Sequence, residues 1–354
     1  MRVKNFLKNI QRVENEELDR LQFIRLDKNE GFLKFSNKFL NKCKKIINSN
    51  FLSTYPQPYL LRNELSKFLN IKNDELYLGS GSDALIKSVF EIFIEPNDEI
   101  IIPTPNYAMY YVYGDLFQAN IKKIHYNNNT LKVDVQEILD NITCKTKMIF
   151  ISNPNSPVGD LLTDIELLEI IKKALKFNIM VLIDEAYYPF SNFTMIDYYR
   201  KYSNLIIIRT FSKAFALASA RLGYVIAQKE VIDYFKKVRP IYEVNSFAVA
   251  IGSLILKEYS FNKIYSEFIK IKKYFINELK KLNIEFIDTA TNFLHIKIPI
   301  EKQNAFIKYM FDNKIILKKS GNQNFMNDYI RVSISNKLNM KIFIEKLKKF
   351  YKIL

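Results

Sequence analysis

Short apolar segments alternate with helical patterns between about residues 75 and 230, and this alternation constrains the fold more than any other feature of the sequence. The segments are rich in β-branched residues, which is typical of buried strands. Their alternation with helices predicts an α/β fold, in which helices flank a mostly parallel sheet. The predicted strands are residues 99–102, 121–125, 147–152, 179–183, 205–209 and 224–227.

Two of the predicted helices have recognisable start signals. Ser82 and Asp83 precede a helical pattern at 84–94, and Thr163 begins a Thr-Asp-Ile-Glu sequence before a pattern at 165–177. Short oxygen-bearing side chains at these positions accept hydrogen bonds from the first free amides of a helix. Both helices are therefore expected to begin just after strands or turns.

The pattern changes near residue 247. Long helical stretches cover 247–282, short strands are expected at 293–298 and 330–334, and a basic amphipathic helix covers 341–352. The lysines of that last helix are interpreted as a solvated face. The change predicts a second, smaller α+β domain.

The chain is strongly basic, with 53 Lys and Arg against 37 Asp and Glu and a formal net charge of +16. Such a charge can indicate nucleic acid or an anionic small molecule as a ligand. The lysines are scattered among Asn, Ile, Phe and Tyr, however, and no extra segment could house a nucleic-acid-binding module. We therefore expect neither nucleic acid nor a membrane as a partner.

Other features of the composition exclude further classes of protein. Two cysteines, Cys43 and Cys144, rule out a disulfide framework, and two histidines, His125 and His295, argue against a metal centre. No apolar run approaches the ~18 residues of a membrane span, and the first residues lack the apolar core of a signal peptide. We expect a cytoplasmic protein without a metal.

The segment from Arg209 to Gly223 carries the strongest chemical signal. Lys213 follows a predicted strand, Ser212 stands beside it, and Arg221 lies eight residues later. A lysine amine can form a Schiff base with an aldehyde cofactor, while the hydroxyl and the guanidinium hold a phosphate dianion on it. Taken alone, the segment is also compatible with an ordinary surface lysine.

Further polar groups follow the neighbouring predicted strands. Asp184 and Tyr187 come at the end of one strand, at the edge where open α/β sheets bind ligands. Asp184 could pair with a protonated pyridine nitrogen and Tyr187 could donate to a ring oxygen, although Asp184 could equally cap a helix or bind Mg²⁺. A turn at 152–159 adds amide side chains beside the same edge, unless it is a plain turn. The small residues at 78–84 open a helix whose amides can face an anion, as nucleotide-binding folds also do.

Together these segments resemble the aspartate-aminotransferase fold type of pyridoxal-phosphate enzymes, and most closely the histidinol-phosphate aminotransferase family. The likeness runs from about residue 24 to 336 in the family's order. The resemblance implies an N-terminal arm at 1–29, a large cofactor-binding domain at 30–246 and a small domain at 247–354. Its further matching segments are residues 26–31, 55–56, 103–110, 239–246, 291–293 and 329–334.

The resemblance implies a set of residues around pyridoxal 5'-phosphate. Lys213 would bond the cofactor aldehyde and act as the base, Asp184 would face the pyridine nitrogen, and Tyr187 would donate to the ring hydroxyl oxygen. The catalytic residues would thus be Lys213, Asp184 and Tyr187. Tyr107 would stack on the ring. The phosphate would be held by Gly81, Ser82, Asp83, Ser212 and Arg221.

The resemblance also implies a homodimer and a substrate site. Tyr55 would reach the cofactor phosphate from the other subunit. Arg331 would bind the substrate α-carboxylate, since a planar guanidinium holds a carboxylate through two hydrogen bonds. Asn29 and Lys318 complete the expected substrate-binding set.

The sequence departs from the family pattern at three places. The usual Asn-Asn-Pro-Thr-Gly turn is Asn155-Ser156-Pro-Val-Gly here, so either Asn155 or Ser156 could face the ring oxygen. Lys318 stands where the family has an arginine, which keeps the charge but loses the two-point geometry. Glu243 adds negative charge near the expected substrate mouth.

These departures lead to a hypothesis about the reaction. We expect ping-pong transamination between an amino acid, most simply glutamate, and a small phosphorylated ketone or keto acid such as dihydroxyacetone phosphate or 3-phosphohydroxypyruvate. Histidinol phosphate itself remains an alternative substrate. A related decarboxylase, which would break the bond to the carboxylate, is another alternative, and a nucleic-acid-binding protein is a remote one.

Overall fold

Within the residues that the structure describes, the strands form one large sheet and two smaller ones. The structure is a computed structural model that describes residues 3–10, 18–320 and 326–353. In chain order its strands are β1 Ile24–Arg25, β2 Leu76–Gly79, β3 Glu99–Thr104, β4 Asn120–His125, β5 Thr146–Ser152, β6 Met180–Asp184, β7 Leu205–Thr210, β8 Gly223–Ile226, β9 Phe286–Ile287, β10 Phe293–Lys297, β11 Ile315–Ile316, β12 Lys318–Lys319 and β13 Tyr329–Ser333.

Helices connect most of these strands. In chain order they are α1 Asn37–Ile46, α2 Ser49–Ser53, α3 Pro58–Leu69, α4 Gly81–Phe93, α5 Ala108–Leu116, α6 Val135–Asn141, α7 Asp164–Lys176, α8 Lys229–Val238, α9 Ser246–Glu258, α10 Phe261–Lys281, α11 Ile300–Asp312 and α12 Lys337–Ile353. Within the part of the chain that the structure describes, no helix combines the length and the apolar character needed to cross a membrane.

The large sheet has seven strands in the order β2-β8-β7-β6-β5-β3-β4. Only β8 runs antiparallel to its neighbours, and the other pairs are parallel. The prediction of a mostly parallel sheet flanked by helices is therefore confirmed. The six predicted strands correspond to β3 to β8, whereas β2 was not predicted.

The central strands are buried on both faces. Along β5, Met148 and Phe150 pack on one side of the sheet, and Ile149 and Ile151 pack on the other, in two separate apolar clusters. Successive side chains of a strand point to opposite faces, so a strand covered on both sides needs a continuous apolar run. This requirement explains why these strands could be predicted from the sequence.

The two predicted helix starts differ in accuracy. Thr163 caps α7, and its Oγ1 accepts from the Glu166 amide at 3.3 Å while the Glu166 carboxylate accepts from the Thr163 amide at 2.7 Å. For α4 the prediction was wrong by a few residues, because the helix begins at Gly81 after Ser80. Ser82 and Asp83 therefore lie inside its first turn, which leaves their backbone amides free of helical partners.

The C-terminal part contains an antiparallel sheet in the order β12-β13-β10-β9, and its helices α10 and α12 pack against each other. The short strand β1, near the N-terminus, pairs with β11 of this part. Helix α9 packs against α3, which precedes the large sheet. The domain boundaries given above stay a prediction.

Candidate active site

Three neighbouring parallel strands end at one cavity. Strands β5, β6 and β7 end at Ser152, Asp184 and Thr210, and parallel strands bring their carboxyl ends to one edge of the sheet. The cavity there has a volume of about 260 Å³. It is lined by Lys28, Glu30, Ser82, Asp83, Tyr107, Ser152, Pro154, Ser156, Asp184, Ala186, Tyr187, Thr210, Ser212, Lys213, Ala218 and Arg221.

Lys213 enters this cavity from the loop after β7. Its Nζ donates to the backbone oxygen of Lys28 at 2.8 Å. Burial, together with the positive charge of Arg331, lowers the pKa of Lys213 to about 8. About a tenth of this amine is therefore unprotonated at pH 7, and the unprotonated amine is the form that a nucleophile or a general base requires.

Asp184 is buried at the end of β6, and both of its oxygens have partners. Oδ2 accepts from the Tyr110 hydroxyl at 3.0 Å and Oδ1 accepts from the Ala186 amide at 3.0 Å. Burial raises the pKa of Asp184 to about 6, and the hydrogen bond from Tyr110 opposes that rise. The two donors thus favour the carboxylate in a site that would otherwise neutralise it.

Sequence analysis gave no role to Tyr110, although it lies in a segment that was recognised. Tyr107 stands just before α5 and Tyr110 lies in its first turn, three residues later, which is the spacing of neighbours on one helix face. Their rings meet edge to face, with centroids 6.2 Å apart. That spacing is the signal that could have revealed Tyr110.

Tyr187 is oriented by a residue from the N-terminal part of the chain. The Asn29 side-chain amide donates to the Tyr187 oxygen at 2.8 Å. Asn29 is itself held by Ser333, whose hydroxyl donates to Asn29 Oδ1 at 3.0 Å. The Ser156 hydroxyl is a further hydrogen-bonding partner of the Tyr187 phenol. With these donors on its oxygen, the phenol retains its own hydrogen for a ligand.

Of the two residues left open in the turn at 152–159, the structure brings Ser156 to the cavity. Asn155 is buried, its Nδ2 donates to the backbone oxygen of Pro105 at 3.2 Å, and its Oδ1 accepts from the Val158 amide at 3.0 Å. Asn155 therefore holds the turn together, while Ser156 lines the cavity.

The first turn of α4 faces Arg221 across a narrow gap. Gly81 has a φ of +86°, and a Cβ at this position would lie 2.8 Å from Arg221 Nη2. A Cβ on Gly223 of β8 would lie 2.7 Å from the Ser82 amide nitrogen. Only glycine permits these approaches, which bring a helix N-terminus and a guanidinium to one place, as an anion site requires.

Ser212 and Asp83 complete this end of the cavity. Arg221 Nη1 donates to the Ser212 hydroxyl oxygen at 3.4 Å. The Asp83 carboxylate accepts from Tyr113 at 3.1 Å and, more weakly, from Tyr107 at 3.5 Å. Its side chain is therefore directed to the tyrosines, and its backbone amide is the group available to an anion.

Tyr55 does not lie at this cavity within a single chain. It is 70% exposed, and its ring stacks on the exposed ring of Tyr242 with centroids 4.1 Å apart. Glu243 also lies outside the lining residues, because its carboxylate accepts from the Tyr77 hydroxyl at 2.6 Å and from the Ser80 amide at 3.1 Å. Glu243 thus fixes the segment before α4.

The expected substrate-binding cations lie side by side in the small sheet. Arg331 on β13 is the cross-strand partner of Lys318 on β12. Arg331 Nη2 donates to the Asp27 backbone oxygen at 2.7 Å, and its Nε is buried without a partner. Burial and the Arg331 charge lower the pKa of Lys318. Two neighbouring cations, one with an unpaired donor, indicate a place for an anion.

The residues present fit pyridoxal phosphate. The cavity joins an amine of lowered pKa, a buried carboxylate, a phenol with a free hydrogen and an anion-binding helix N-terminus. The close approach of Arg221 to Gly81 supports the same fit, because it brings a guanidinium to the first turn of α4. These groups match the aldehyde, the ring nitrogen, the ring oxygen and the phosphate of that cofactor.

Comparison with known proteins agrees with this chemistry. A histidinol-phosphate aminotransferase from Methanocaldococcus jannaschii is 32% identical over 332 residues, which cover 91% of this chain and 84% of that protein. The structure of the histidinol-phosphate aminotransferase of Sinorhizobium meliloti in complex with pyridoxal-5'-phosphate is similar, with a TM-score of 0.85, 18% identity and coverage of 99% and 98% of the two chains. The structure of an L-threonine-O-3-phosphate decarboxylase from Porphyromonas gingivalis has a similar fold, with a TM-score of 0.76 and 19% identity. The match covers 93% of this chain and 99% of that chain.

The family model described as aminotransferase class I and II matches residues 32–347. This match spans most of the chain. The chain therefore belongs to the class I and II aminotransferase family, as a pyridoxal-phosphate-dependent transaminase of the histidinol-phosphate aminotransferase type.

Proposed function

We propose that this enzyme transfers an amino group between an α-amino acid, most simply glutamate, and a small phosphorylated ketone or keto acid. The main support for the proposal is the pair Arg331 and Lys318, which lie opposite each other on two neighbouring strands. The Nε of Arg331 is buried and has no hydrogen-bond partner. Arg331 can bind a carboxylate through two hydrogen bonds, and Lys318 adds the second positive charge that suits a phosphate dianion.

Three residues would perform the proton chemistry. When bound, pyridoxal phosphate supplies a ring that accepts electrons from the substrate α-carbon. Lys213 would take the α-proton as a general base, because its pKa of about 8 leaves part of the amine free. Asp184 would hold a proton on the ring nitrogen, and Tyr187 would donate to the ring oxygen.

We assign the second contact near the ring oxygen to Ser156 rather than Asn155. The support is that the Asn155 side-chain nitrogen donates to the Pro105 backbone oxygen and its Oδ1 accepts from the Val158 amide, whereas Ser156 lines the same cavity as Tyr187. Gly81, Ser82, Asp83, Ser212 and Arg221 would hold the phosphate, and Tyr107 would stack on the ring.

A homodimer is part of the proposal. Tyr55 and Tyr242 are exposed large aromatic residues, and Tyr55 also borders an open groove of about 620 Å³ with Phe51 and Leu60. Exposed apolar surface of this kind is typical of protein interfaces. A second copy seated there could bring its Tyr55 to the phosphate end of the cavity. The cytoplasmic location stays a prediction from the sequence.

The proposal is tested by incubating the cofactor-loaded enzyme with glutamate and a panel of phosphorylated ketones, keto acids and aldehydes, and measuring 2-oxoglutarate. We expect ping-pong kinetics and a clear preference for phosphorylated acceptors over the same compounds without phosphate. Equal turnover of the two sets would overturn the assignment of a phosphorylated substrate.

A second candidate is histidinol phosphate as the amino donor, which the similarity to a histidinol-phosphate aminotransferase favours. It is tested with histidinol phosphate and 2-oxoglutarate, and turnover faster than with the small ketones would make it the better assignment. Release of carbon dioxide without any keto acid would instead indicate a decarboxylase.

A further inference from the structure

His295 is fully buried on β10, and both of its ring nitrogens have partners outside that strand. Nε2 lies 2.9 Å from the backbone oxygen of Pro157 and Nδ1 lies 2.7 Å from the Ser320 hydroxyl. A carbonyl oxygen can only accept, so Nε2 must carry the hydrogen. Burial and the Arg331 charge lower the pKa of His295 to about 3, which keeps the ring neutral. Nδ1 therefore accepts from Ser320.

The position of His295 in the small sheet relates it to the anion-binding cations. His295 is the cross-strand partner of Arg331, which is in turn the partner of Lys318. Directly opposed residues project from the same face of a sheet, so the three side chains form one row. We call Lys318, Arg331 and His295 the cross-strand row.

The same face of the sheet meets the cofactor side of the site. Phe293, two residues before His295, has its ring 5.3 Å from the imidazole and 5.8 Å from the Tyr187 ring, measured between centroids. Arg331 also lies over the Phe293 ring at 5.3 Å. The cross-strand row is thus connected through the Phe293 ring to Tyr187, the residue expected at the ring oxygen.

Through its two hydrogen bonds His295 connects two chain segments that carry site residues. Pro157 follows Ser156, which lines the cavity, and Ser320 lies two residues after Lys318. We propose that His295 is a positioning residue that fixes the Ser156 turn relative to the cross-strand row. Together with the backbone hydrogen bond from the Ala290 amide to the Gly159 oxygen at 2.9 Å, the imidazole would then set the distance between the ring-oxygen donors and the anion-binding cations. The inference deepens the proposed function and rests on it for what the cations bind.

A histidine suits this position because it both donates and accepts without charge. A leucine of similar size would remove the partners of the half-buried Pro157 oxygen and of the buried Ser320 hydroxyl. A glutamine can supply one donor and one acceptor. Comparing the two replacements therefore distinguishes the effect of the His295 hydrogen bonds from the effect of its side-chain volume.

The first test needs neither substrate nor cofactor. The chain has two histidines, so the H125Q variant leaves His295 as the single imidazole in a ¹⁵N spectrum. We expect a neutral ring with the hydrogen on Nε2, unchanged between pH 8 and pH 5. A ring that carries its hydrogen on Nδ1, or that titrates in this interval, would overturn the proposal.

The second test compares H295L and H295Q with I296V, a control that removes a methyl group from the neighbouring core residue on the opposite face of β10. For H295L we expect the KM for the amino donor to rise about tenfold, equivalent to ~1.4 kcal/mol, with a smaller change in kcat. We also expect the pH titration of the visible absorbance of the Lys213-bound cofactor to shift upward, because displaced donors no longer stabilise the ring oxygen anion.

H295Q should restore most of both properties, and I296V should lower the melting temperature alone. If H295L matches I296V in KM and in absorbance titration, His295 has no positioning role. Should H295L not fold, S320A provides the same readouts with one hydrogen bond removed, and unchanged values there would equally refute the inference. The ¹⁵N spectrum and the absorbance titration are independent of the acceptor, so they remain decisive even if no phosphorylated acceptor is used.

Discussion

The polar groups at the carboxyl edge of the large sheet and the two cations of the cross-strand row, Arg331 and Lys318, differ in how far they are paired within the protein. At the edge, Asp184 has two hydrogen-bond donors and the Tyr187 oxygen has Asn29. In the row, Arg331 keeps a buried nitrogen without a partner, and Lys318 has no ion pair with any residue that the structure describes.

The difference teaches how the two halves of the site are organised. A cofactor stays in place through a reaction cycle, so the groups around it can be held by permanent protein partners. Substrates enter and leave, so the cations that bind them gain their partners from the ligand. We therefore expect substitutions at the edge to alter chemistry and substitutions in the row to alter binding.

The largest expected effect is at the edge. K213A removes the amine that would move the α-proton, and a positioned proton-transfer group contributes about 10²–10⁴-fold. We expect kcat to fall by at least this factor while the melting temperature of the protein without cofactor changes little. The measurement is single-turnover kinetics, and borohydride should no longer attach the cofactor to the chain. A K213A enzyme retaining a tenth of the wild-type kcat would contradict this assignment.

The next effect is expected in the row. R331A removes the two-point partner of the donor carboxylate, and a charged hydrogen bond contributes about 1.5–3 kcal/mol, so kcat/KM for glutamate should fall roughly 10- to 150-fold. R331K should recover only part of the loss, since lysine lacks the planar geometry. K319M, which changes the exposed neighbour of Lys318, is the control and should leave the value unchanged. A normal kcat/KM for R331A would show that Arg331 does not bind the donor carboxylate.

An intermediate effect tests the hydrogen bond between Tyr110 and Asp184. Burial already raises the pKa of Asp184 to about 6, and the Tyr110 hydroxyl counteracts this by favouring the carboxylate. Y110F should therefore raise that pKa further, so that the ionised fraction is lost at a higher pH as the solution is acidified. We expect the acid limb of the kcat/KM profile to move up by about one unit.

The control for this pH profile lies on the same helix. Tyr111 also belongs to α5, but its hydroxyl pairs with Thr104 at 2.9 Å and not with Asp184. Y111F should leave the acid limb in place. If Y110F and Y111F give the same profile, the acid limb does not report Asp184.

The smallest effect concerns the lysine that departs from the family pattern. K318R would restore a planar guanidinium beside Arg331 and should lower the KM for a phosphorylated substrate about three- to tenfold, with little change in kcat. K319R adds the same group one residue away, where the strand points it to the other face. Equal effects of the two variants would show that only net charge matters.

The sequence predicted the parts of the site that follow directly from strand ends. Lys213, Asp184 and the turn at 152–159 each come after an apolar run, and the structure brings them to one cavity. Their chemical roles, like that of Arg331, remain predictions. The contacts that orient these residues could not be predicted from local sequence patterns. Asn29 and Tyr187 are 158 positions apart in the chain, and Tyr110 and Asp184 are 74 positions apart.

Two details show why local patterns were insufficient. The sequence did not identify β2. It also misplaced the start of α4, where the Ser80 hydroxyl donates to the Glu243 backbone oxygen at 2.6 Å instead of capping the helix. The sequence also left Asn155 and Ser156 as equal alternatives, because it does not show which of two adjacent side chains in a turn points into the cavity. Both questions depend on which distant groups occupy the neighbouring space.

By itself the sequence determined the α/β architecture, the order of the strands along the chain and the residue types gathered at their ends, because hydrophobic periodicity and turn chemistry are local properties. Tertiary structure alone decided which hydrogen bonds those residues make and which side chains stay unpaired. Examples are the hydrogen bond from Asn29 to Tyr187, the bonds of His295 to Pro157 and Ser320, and the unpaired donor of Arg331. All of them result from packing between segments that are far apart in the chain. Burial there increases the free-energy effect of each hydrogen bond that is made or missing.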